Sequence, residues 1–340
     1  MPRVSVIIPS YNHAHFISEA IQSVLNQTEK DLELIVVDDG STDESWSILN
    51  RISDTRFRAI FQEHQGAHAA LNRGLQEAQG VYLAILNSDD AYYPQRLKLL
   101  AQVLESRRDL GLIGSFIEVI DSRGQTLGVK HGYKDLEPWI LSHPDRGFRF
   151  SDDQRGALLT ENFFATTSNF VFKRGLYEQI GGFRELRYAH DWDFLLRASL
   201  VSLVEVFPEV LLRYRVHSKN TIRQDMVGMV FEICWCLAVH LPFHVDDILW
   251  FGKAPLYQRV EQLLYSIYTF GCQEVLIVML LQRLWENPSQ ALELLKPGNL
   301  VREKYLNFIR ERLSQNERKE RSKKISLRQM ANEVIRILGW

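Results

Sequence analysis

Val81-Tyr-Leu-Ala-Ile-Leu-Asn-Ser-Asp-Asp90 is an apolar run that ends on an amide, a hydroxyl and two adjacent carboxylates. The run reads as a buried strand. Two carboxylates at such a strand end are costly unless something cationic sits beside them. A divalent metal with open positions for phosphate oxygens is the usual remedy, because hard cations take oxygen ligands.

Outward from this segment, strand and helix patterns alternate. Val4–Pro9, Leu32–Val37 and Arg58–Gln62 read as strands, and Ala14–Leu25, Ser45–Ile52, Ala67–Ala78 and Pro94–Glu105 as helices. This βαβαβαβ order predicts an α/β fold, a mostly parallel Rossmann-like sheet with helices on both faces. Ligands of such sheets bind beyond the carboxyl ends of the strands. Pro9-Ser-Tyr-Asn12, Asp38-Asp39 and Asn87–Asp90 all fall there. Further on, Leu112–Ile120, Asn169–Lys173, Val204–Phe207 and Val210–Val216 read as strands. Gly181-Gly-Phe183 is a turn, and a helix over Ala189–Leu200 opens with His190-Asp-Trp-Asp193. Asp121–Leu158 is polar and takes no clear element. After Gln224 the spacing is helical, over Met226–His240, Leu256–Leu284, Ser289–Leu295 and Val301–Leu313, with an amphipathic stripe from Leu327 to Leu338. The expected divisions are 1–115, 116–224 and a C-terminal helical extension, 225–340.

Composition narrows the function classes. The chain has 340 residues and a formal net charge of −2, which gives no global reason to expect nucleic-acid binding. Cys234, Cys236 and Cys272 lack zinc spacing and read as reduced, buried thiols. Met1-Pro-Arg3 runs straight into a strand, so no secretory leader is expected. No stretch reaches ~18 uninterrupted apolar residues, and Ile233–Val245 and Val275–Gln282 read as buried helices. The expected location is cytoplasmic. Where a dinucleotide fold needs Gly-x-Gly-x-x-Gly, this chain has Pro9-Ser-Tyr-Asn-His13, and a Gly-x-x-x-x-Gly-Lys phosphate loop is also lacking.

Several motifs together resemble family 2 glycosyltransferases of the GT-A fold. They are Val4-Ser-Val-Ile-Ile-Pro-Ser-Tyr-Asn12, Ile21-Gln-Ser-Val-Leu-Asn-Gln-Thr28, Leu34-Ile-Val-Val-Asp-Asp-Gly-Ser-Thr-Asp43, Ala70-Leu-Asn-Arg-Gly74 with Ala78-Gln-Gly80, Leu86-Asn-Ser-Asp-Asp90, Gly181-Gly-Phe183 and His190-Asp-Trp-Asp193. The resemblance covers roughly residues 3–220 and implies inverting transfer of a sugar from a nucleoside-diphosphate donor, UDP-sugar by the family's habit, in polysaccharide or cell-envelope synthesis. Residues 1–115 become the donor half and 116–224 the acceptor half.

The resemblance also implies roles. Tyr11 and Asp39 match positions that stack on and hydrogen-bond the uracil, with Asp38 or Asp43 left to cap the turn. Pro9, Asn12 and Asn72 fall within donor-binding motifs. Asp89 is the acidic end of the Asp-x-Asp element and, with Asp90, would hold Mg2+ or Mn2+ at the diphosphate. Asn87 stands where an Asp is usual, which should weaken metal binding; an amide still offers a neutral oxygen. Tyr214-Arg-Val-His-Ser-Lys-Asn220 resembles a segment that closes over the diphosphate, with His217 as third metal ligand and Arg215 facing phosphate. Asp191 matches the base that takes the acceptor proton, and Asp193 is the better helix cap and dipole partner.

The tail lies outside the resemblance. Ten basic and four acidic side chains between Arg302 and Arg328 precede the amphipathic stripe. Peripheral contact with an anionic membrane surface is one reading; packing on the domain or on a second copy is the other. The acceptor is expected to be a glycan or a lipid-linked or other envelope hydroxyl. Two other functions stay open: a non-catalytic nucleotide- or sugar-binding module, and a nucleotidyltransferase, which would normally show a Gly-rich basic loop near the N-terminus.

Overall fold

The computed structural model describes residues 1–131, 158–159, 162–217, 225–250 (245–250 by backbone alone), 255, 269 and 271–316. The stripe Leu327–Leu338, most of Asp121–Leu158, Ser218-Lys-Asn220 and most of the stretch 256–270 lie outside the described residues. The chain divides into two compact units, one of residues 1–224 with 240–267, the other of 225–239 with 268–340.

The first unit is built on one nine-stranded sheet. Strands β1 (Val4–Ser10), β2 (Leu32–Asp38), β3 (Phe57–Phe61) and β4 (Tyr82–Ile85) pair in parallel in the order β3-β2-β1-β4. Every residue of β1 is buried, as a central strand covered on both faces requires. The register sets Ser10 beside Asp38 and Ile7 beside Ile85. The three polar strand ends seen in the sequence therefore open on one edge of the sheet.

Helices α1 (Ile17–Leu25), α2 (Ser45–Leu49), α3 (Ala67–Glu77) and α4 (Arg96–Ser106) fill the crossovers. Helix α1 buries Ile17, Ala20, Ile21, Val24 and Leu25, the spacing of a single apolar face. Helix α3 approaches β1 closely at Gly74, where an added Cβ would lie 2.4 Å from Ile7 Cγ2. Gly74→Ala is therefore expected to destabilise the protein by roughly 1–3 kcal/mol in urea melts through overpacking, despite alanine's better helix propensity of about 1 kcal/mol. A loss below ~0.5 kcal/mol would mean that Ile7 yields at little cost.

Past β4 the sheet becomes mixed. Strands β5 (Ala91–Tyr92), β6 (Leu110–Ile120), β7 (Thr126–Lys130), β8 (Val171–Lys173) and β9 (Leu203–Arg215) complete it in the order β4-β8-β6-β9-β5, with β7 beside β6. Strand β8 runs antiparallel to β4 and β6, while β6 and β9 are parallel. The seam expected at 115/116 falls inside β6. Val204–Phe207 and Val210–Val216, expected as two strands, form the single strand β9. Its register passes from Phe207 opposite Ser115 to Val210 opposite Phe116. The bulge takes in Pro208, which has no N–H for the ladder. The short strands β5 and β7 and helix α5 (Arg174–Ile180) carry too little periodicity to be foreseen. Helix α6 (His190–Val201) begins one residue after the expected start.

In the second unit, Trp235 is fully buried and donates from Nε1 to the Ala291 carbonyl at 2.8 Å. Phe231 packs near Tyr305 under the Arg302 guanidinium. Trp235 belongs to helix α7 (Met226–Trp250), which is longer than the sequence indicated and contains Pro242. Helices α8 (Gln273–Leu281) and α9 (Pro288–Glu293) follow, and residues 300–316 are helical. Among the described residues, one stretch, Met226–His244, is long and apolar enough to cross a membrane by length and composition; 67% of its window is buried, as in the core helix of a globular unit. All three cysteines are buried thiols.

Candidate functional site

The β1 and β2 ends interlock. Asn12 takes the left-handed conformation, φ 55°, and its Oδ1 accepts from the Thr42 backbone N–H at 2.8 Å. The N–H groups of Asn12, His13 and Ala14 donate in turn to Ser41 Oγ, Ser45 Oγ and Asp43 Oδ2. Asp38 Oδ1 accepts from the Ser41 N–H. Asp38 and Asp43 thus hold the turn, and Pro9 is buried in the sheet opposite Val37. Asp39, only 2% exposed, accepts on its carboxylate from Gln62 Nε2 and from the N–H groups of Gln65 and Gly66 at the start of α3, while His64 Nδ1 lies 3.1 Å from the Asp39 carbonyl oxygen and 2.9 Å from its Oδ2. A carboxylate has about four acceptor sites, and three are taken by these donors. Tyr11 is exposed, and the His64 ring stacks on it with centroids 4.2 Å apart. Of the groups around Asp39, the Gln62 and His64 side chains are the ones not fixed by the backbone.

The strand end that opened the chain's reading splits its polar groups. Asp90 turns into the fold. Its Oδ2 accepts from Ser168 Oγ at 2.5 Å and its Oδ1 from the Arg215 N–H at 2.8 Å. Burial, with the neighbouring Asp89 charge added, pushes its pKa well above the usual carboxylate range. Asn87, half-buried, donates to Thr166 Oγ1 and accepts from Thr167 Oγ1, both at 3.0 Å. An amide serves both bonds at once, which accounts for Asn87 where a carboxylate was expected. Asp89 turns the other way, with Oδ2 3.0 Å from His217 Nε2. His13 joins them, so that one ligand atom from each of His13, Asp89 and His217 lies within 4.8 Å of the others. Oxygen and imidazole nitrogen at this spacing suit a divalent cation.

Arg215 and Asn72, both expected at the donor, make extensive contacts within the protein. The Arg215 guanidinium, buried, pairs with Glu19 at 2.6 Å, donates from Nε to the Asp89 carbonyl, and lies over the Phe16 ring. It fixes the Asp89 backbone. Asn72 exchanges both amide bonds with the backbone of Phe183, at 2.8 Å each. It anchors the Gly181-Gly-Phe turn, and a Cβ on Gly182 would meet its Oδ1 at 2.2 Å.

Asp191 lies in the first turn of α6, partly exposed. Its partners are two neutral donors, the Trp192 N–H at 2.7 Å and Asn162 Nδ2 at 2.8 Å. Burial pushes its pKa up to about 6, against the lowering effect of those bonds. Asp193, expected as a cap, is fully buried and bridges Arg184, Arg197 and His240. The loop from Asn162 to Phe170 links the two regions, since Asn162 holds Asp191 while Thr166 to Ser168 hold Asn87 and Asp90. Ala165, in this loop, has φ 67°, a costly conformation for a residue with a side chain and one found at ligand sites. His68 feels the charges of Asp39, Glu185 and His190, which brings the Asp39 corner near the start of α6.

His13, His64 and Asn162 escaped the sequence reading. His13 had a signal, following directly on Tyr11-Asn12; His64 and Asn162 sit in segments without one.

The sheet order, the strand-end carboxylates and the half-buried Asp191 define a GT-A type fold with a polar site at its carboxyl edge. The family model for glycosyl transferase family 2 matches residues 5–181, and the chain belongs to that family. A glycosyltransferase of uncharacterised activity from Nostoc sp. (strain PCC 7120) is 29% identical over 226 residues, 64% of this chain and 66% of its own length. The match thus spans just under two thirds of that relative. TarS residues 1–349 from S. aureus, solved with UDP-GlcNAc, superposes with TM-score 0.56 at 20% identity, covering 80% of this chain and 73% of that one. The mannosyltransferase PcManGT from Pyrobaculum calidifontis, solved with GDP-Man and Mn2+, gives TM-score 0.50 at 22% identity over 86% and 78%. These likenesses fix the fold.

Proposed function

We propose that this chain moves a sugar from a nucleoside-diphosphate donor, a UDP-sugar in the first instance, to a hydroxyl of a glycan, lipid-linked or other envelope acceptor, with inversion at C1. The observation that carries the reading is Asp191. It is a partly exposed carboxylate poised at about 6, held by two neutral donors, the Trp192 N–H of its own helix and Asn162 on the loop that shapes the Asp89 strand end. As the acceptor oxygen bonds to C1, its O–H bond breaks and Asp191 takes the proton. The C1–O bond to the diphosphate breaks on the opposite face, and the nucleoside diphosphate leaves with the electron pair. Tyr11 gives the base an apolar face and Asp39 an acceptor. Asp89 and His217 would hold Mg2+ or Mn2+, whose charge offsets that of the leaving diphosphate when bound. Arg215, Asn87 and Asn72 act behind these groups, on the backbone and the loop. The enzyme acts in the cytoplasm in this reading, with the residues after Arg302 available for a membrane surface or a second copy.

Thermal melts with UDP, GDP and CMP, each with and without Mn2+, test the donor. The preferred nucleotide at ~100 times its Kd should add about 2.7 kcal/mol. UDP is expected to give the largest shift, and more with Mn2+ than without. A melt unmoved by every nucleotide would leave the transferase reading without a donor site.

A further inference from the structure

The Asp89 strand end holds more nitrogen ligands than a magnesium site calls for. His13 and His217 stand edge-on, ring centroids 5.9 Å apart, and each offers a ring nitrogen in the cluster with Asp89. Two ligand atoms ~2.1 Å from one ion and ~90° apart lie ~3.0 Å from each other, and Asp89 Oδ2 and His217 Nε2 are 3.0 Å apart. Both imidazoles are held in place. The His13 backbone is tied to Ser45, its Nδ1 lies 2.7 Å from Ser88 Oγ, and Phe16 stacks on the His217 ring with centroids 5.1 Å apart. Phe16 in turn carries the Arg215 guanidinium that fixes Asp89. We propose that His13 is a third protein ligand, which makes the site a face of two imidazoles and one carboxylate that prefers transition cations, Co2+ and Zn2+ ahead of Mn2+, to Mg2+. Asn87 and Asp90 are engaged inside the fold, so the histidines replace the oxygens a hard cation would want. The assignment rests on the donor-site reading for the purpose of the cation, though not for its binding.

The test uses the full chain without nucleotide, titrated calorimetrically with Co2+ and with Mg2+, and proton NMR of the Co2+ form. Wild type should bind Co2+ more tightly than Mg2+ and show two paramagnetically shifted, solvent-exchangeable imidazole N–H signals. His13→Ala should show one such signal and bind Co2+ at least ~10-fold more weakly, with Mg2+ binding changed less than ~2-fold. A single shifted imidazole in the wild type, or an unchanged Co2+ affinity in His13→Ala, overturns the assignment; the wild-type count does not depend on the variant folding. UDP binding measured without metal separates the two readings. Co2+ bound through His13 with no nucleotide affinity sinks the donor site alone, and the reverse sinks only the ligand.

Discussion

Asp191→Asn is expected to lower turnover by about 10²–10⁴-fold, the usual worth of a general base, while the nucleotide still binds within about twofold of wild type in calorimetry. The amide keeps the shape and loses the basic oxygen. As the proposed base, Asp191 would work only when ionised. With the carboxyl at about 6, kcat should be level above that pH and fall tenfold per unit below it. Asn162 donates to Asp191 Oδ2 and so favours its charged form. Asn162→Ala should therefore move the acid limb to higher pH. The sign of the stability effect guards against misreading a misfolded variant. A carboxyl whose pKa rises on folding from 3.8 to about 6 favours the fold below its unfolded value, and that advantage is lost as pH rises through about 6. At pH 8 the wild type holds an ionised carboxylate in a place that resists the charge. Asp191→Asn should then melt no lower than wild type. Turnover near the wild-type level in a well-folded Asp191→Asn would end the base assignment.

The parallel half of the sheet was legible because apolar runs of strand length alternate with helices whose buried positions follow one face. The strand-end carboxylates were legible as an electrostatic problem, but their solution was not. The sequence suggested that one cation relieves both Asp89 and Asp90. In the fold, a hydroxyl and a backbone N–H satisfy Asp90 while burial disfavours its charge, and Asp89 is the one of the pair that faces the histidines. That outcome depends on Ser168 and Arg215, which are 78 and 125 residues away. The same distance hid the amide contacts of Asn72 with Phe183, 111 residues on. Motif order set Arg215 beside Asp89, and in the fold its Nε donates to the Asp89 carbonyl while its Nη2 pairs with Glu19. Local pattern carries element type and strand ends; the direction a polar side chain takes is decided by partners far along the chain.

Asp193→Ala should be strongly destabilising for the first unit, at about 3–5 kcal/mol in urea melts, because it removes the buried carboxylate that Arg184, Arg197 and His240 converge on. The carboxylate is fully buried between Arg184 Nη1 at 2.7 Å, Arg197 Nη2 at 2.9 Å and His240 Nε2 at 2.8 Å. Burial alone would raise its pKa; Arg197, then His240 and Arg184, outweigh that and hold the carboxyl far below the usual range. The contribution is thus present above the unfolded value near 3.8 and lost as pH falls from there. His240 adds an earlier window. Its own burial lowers its pKa despite Asp193, so the unfolded chain takes up the proton first and stability begins to fall below the unfolded value of 6.5. Wild type should lose stability on acidification in these two steps, and Asp193→Ala should lack the second. A helix cap or dipole partner at the surface, the role the sequence suggested for Asp193, is worth only about 1 kcal/mol. A measured loss under that figure would mean that the two guanidinium groups and His240 find water or other acceptors when the carboxylate is removed, and that the buried carboxylate is not what locks α6 beneath Asp191.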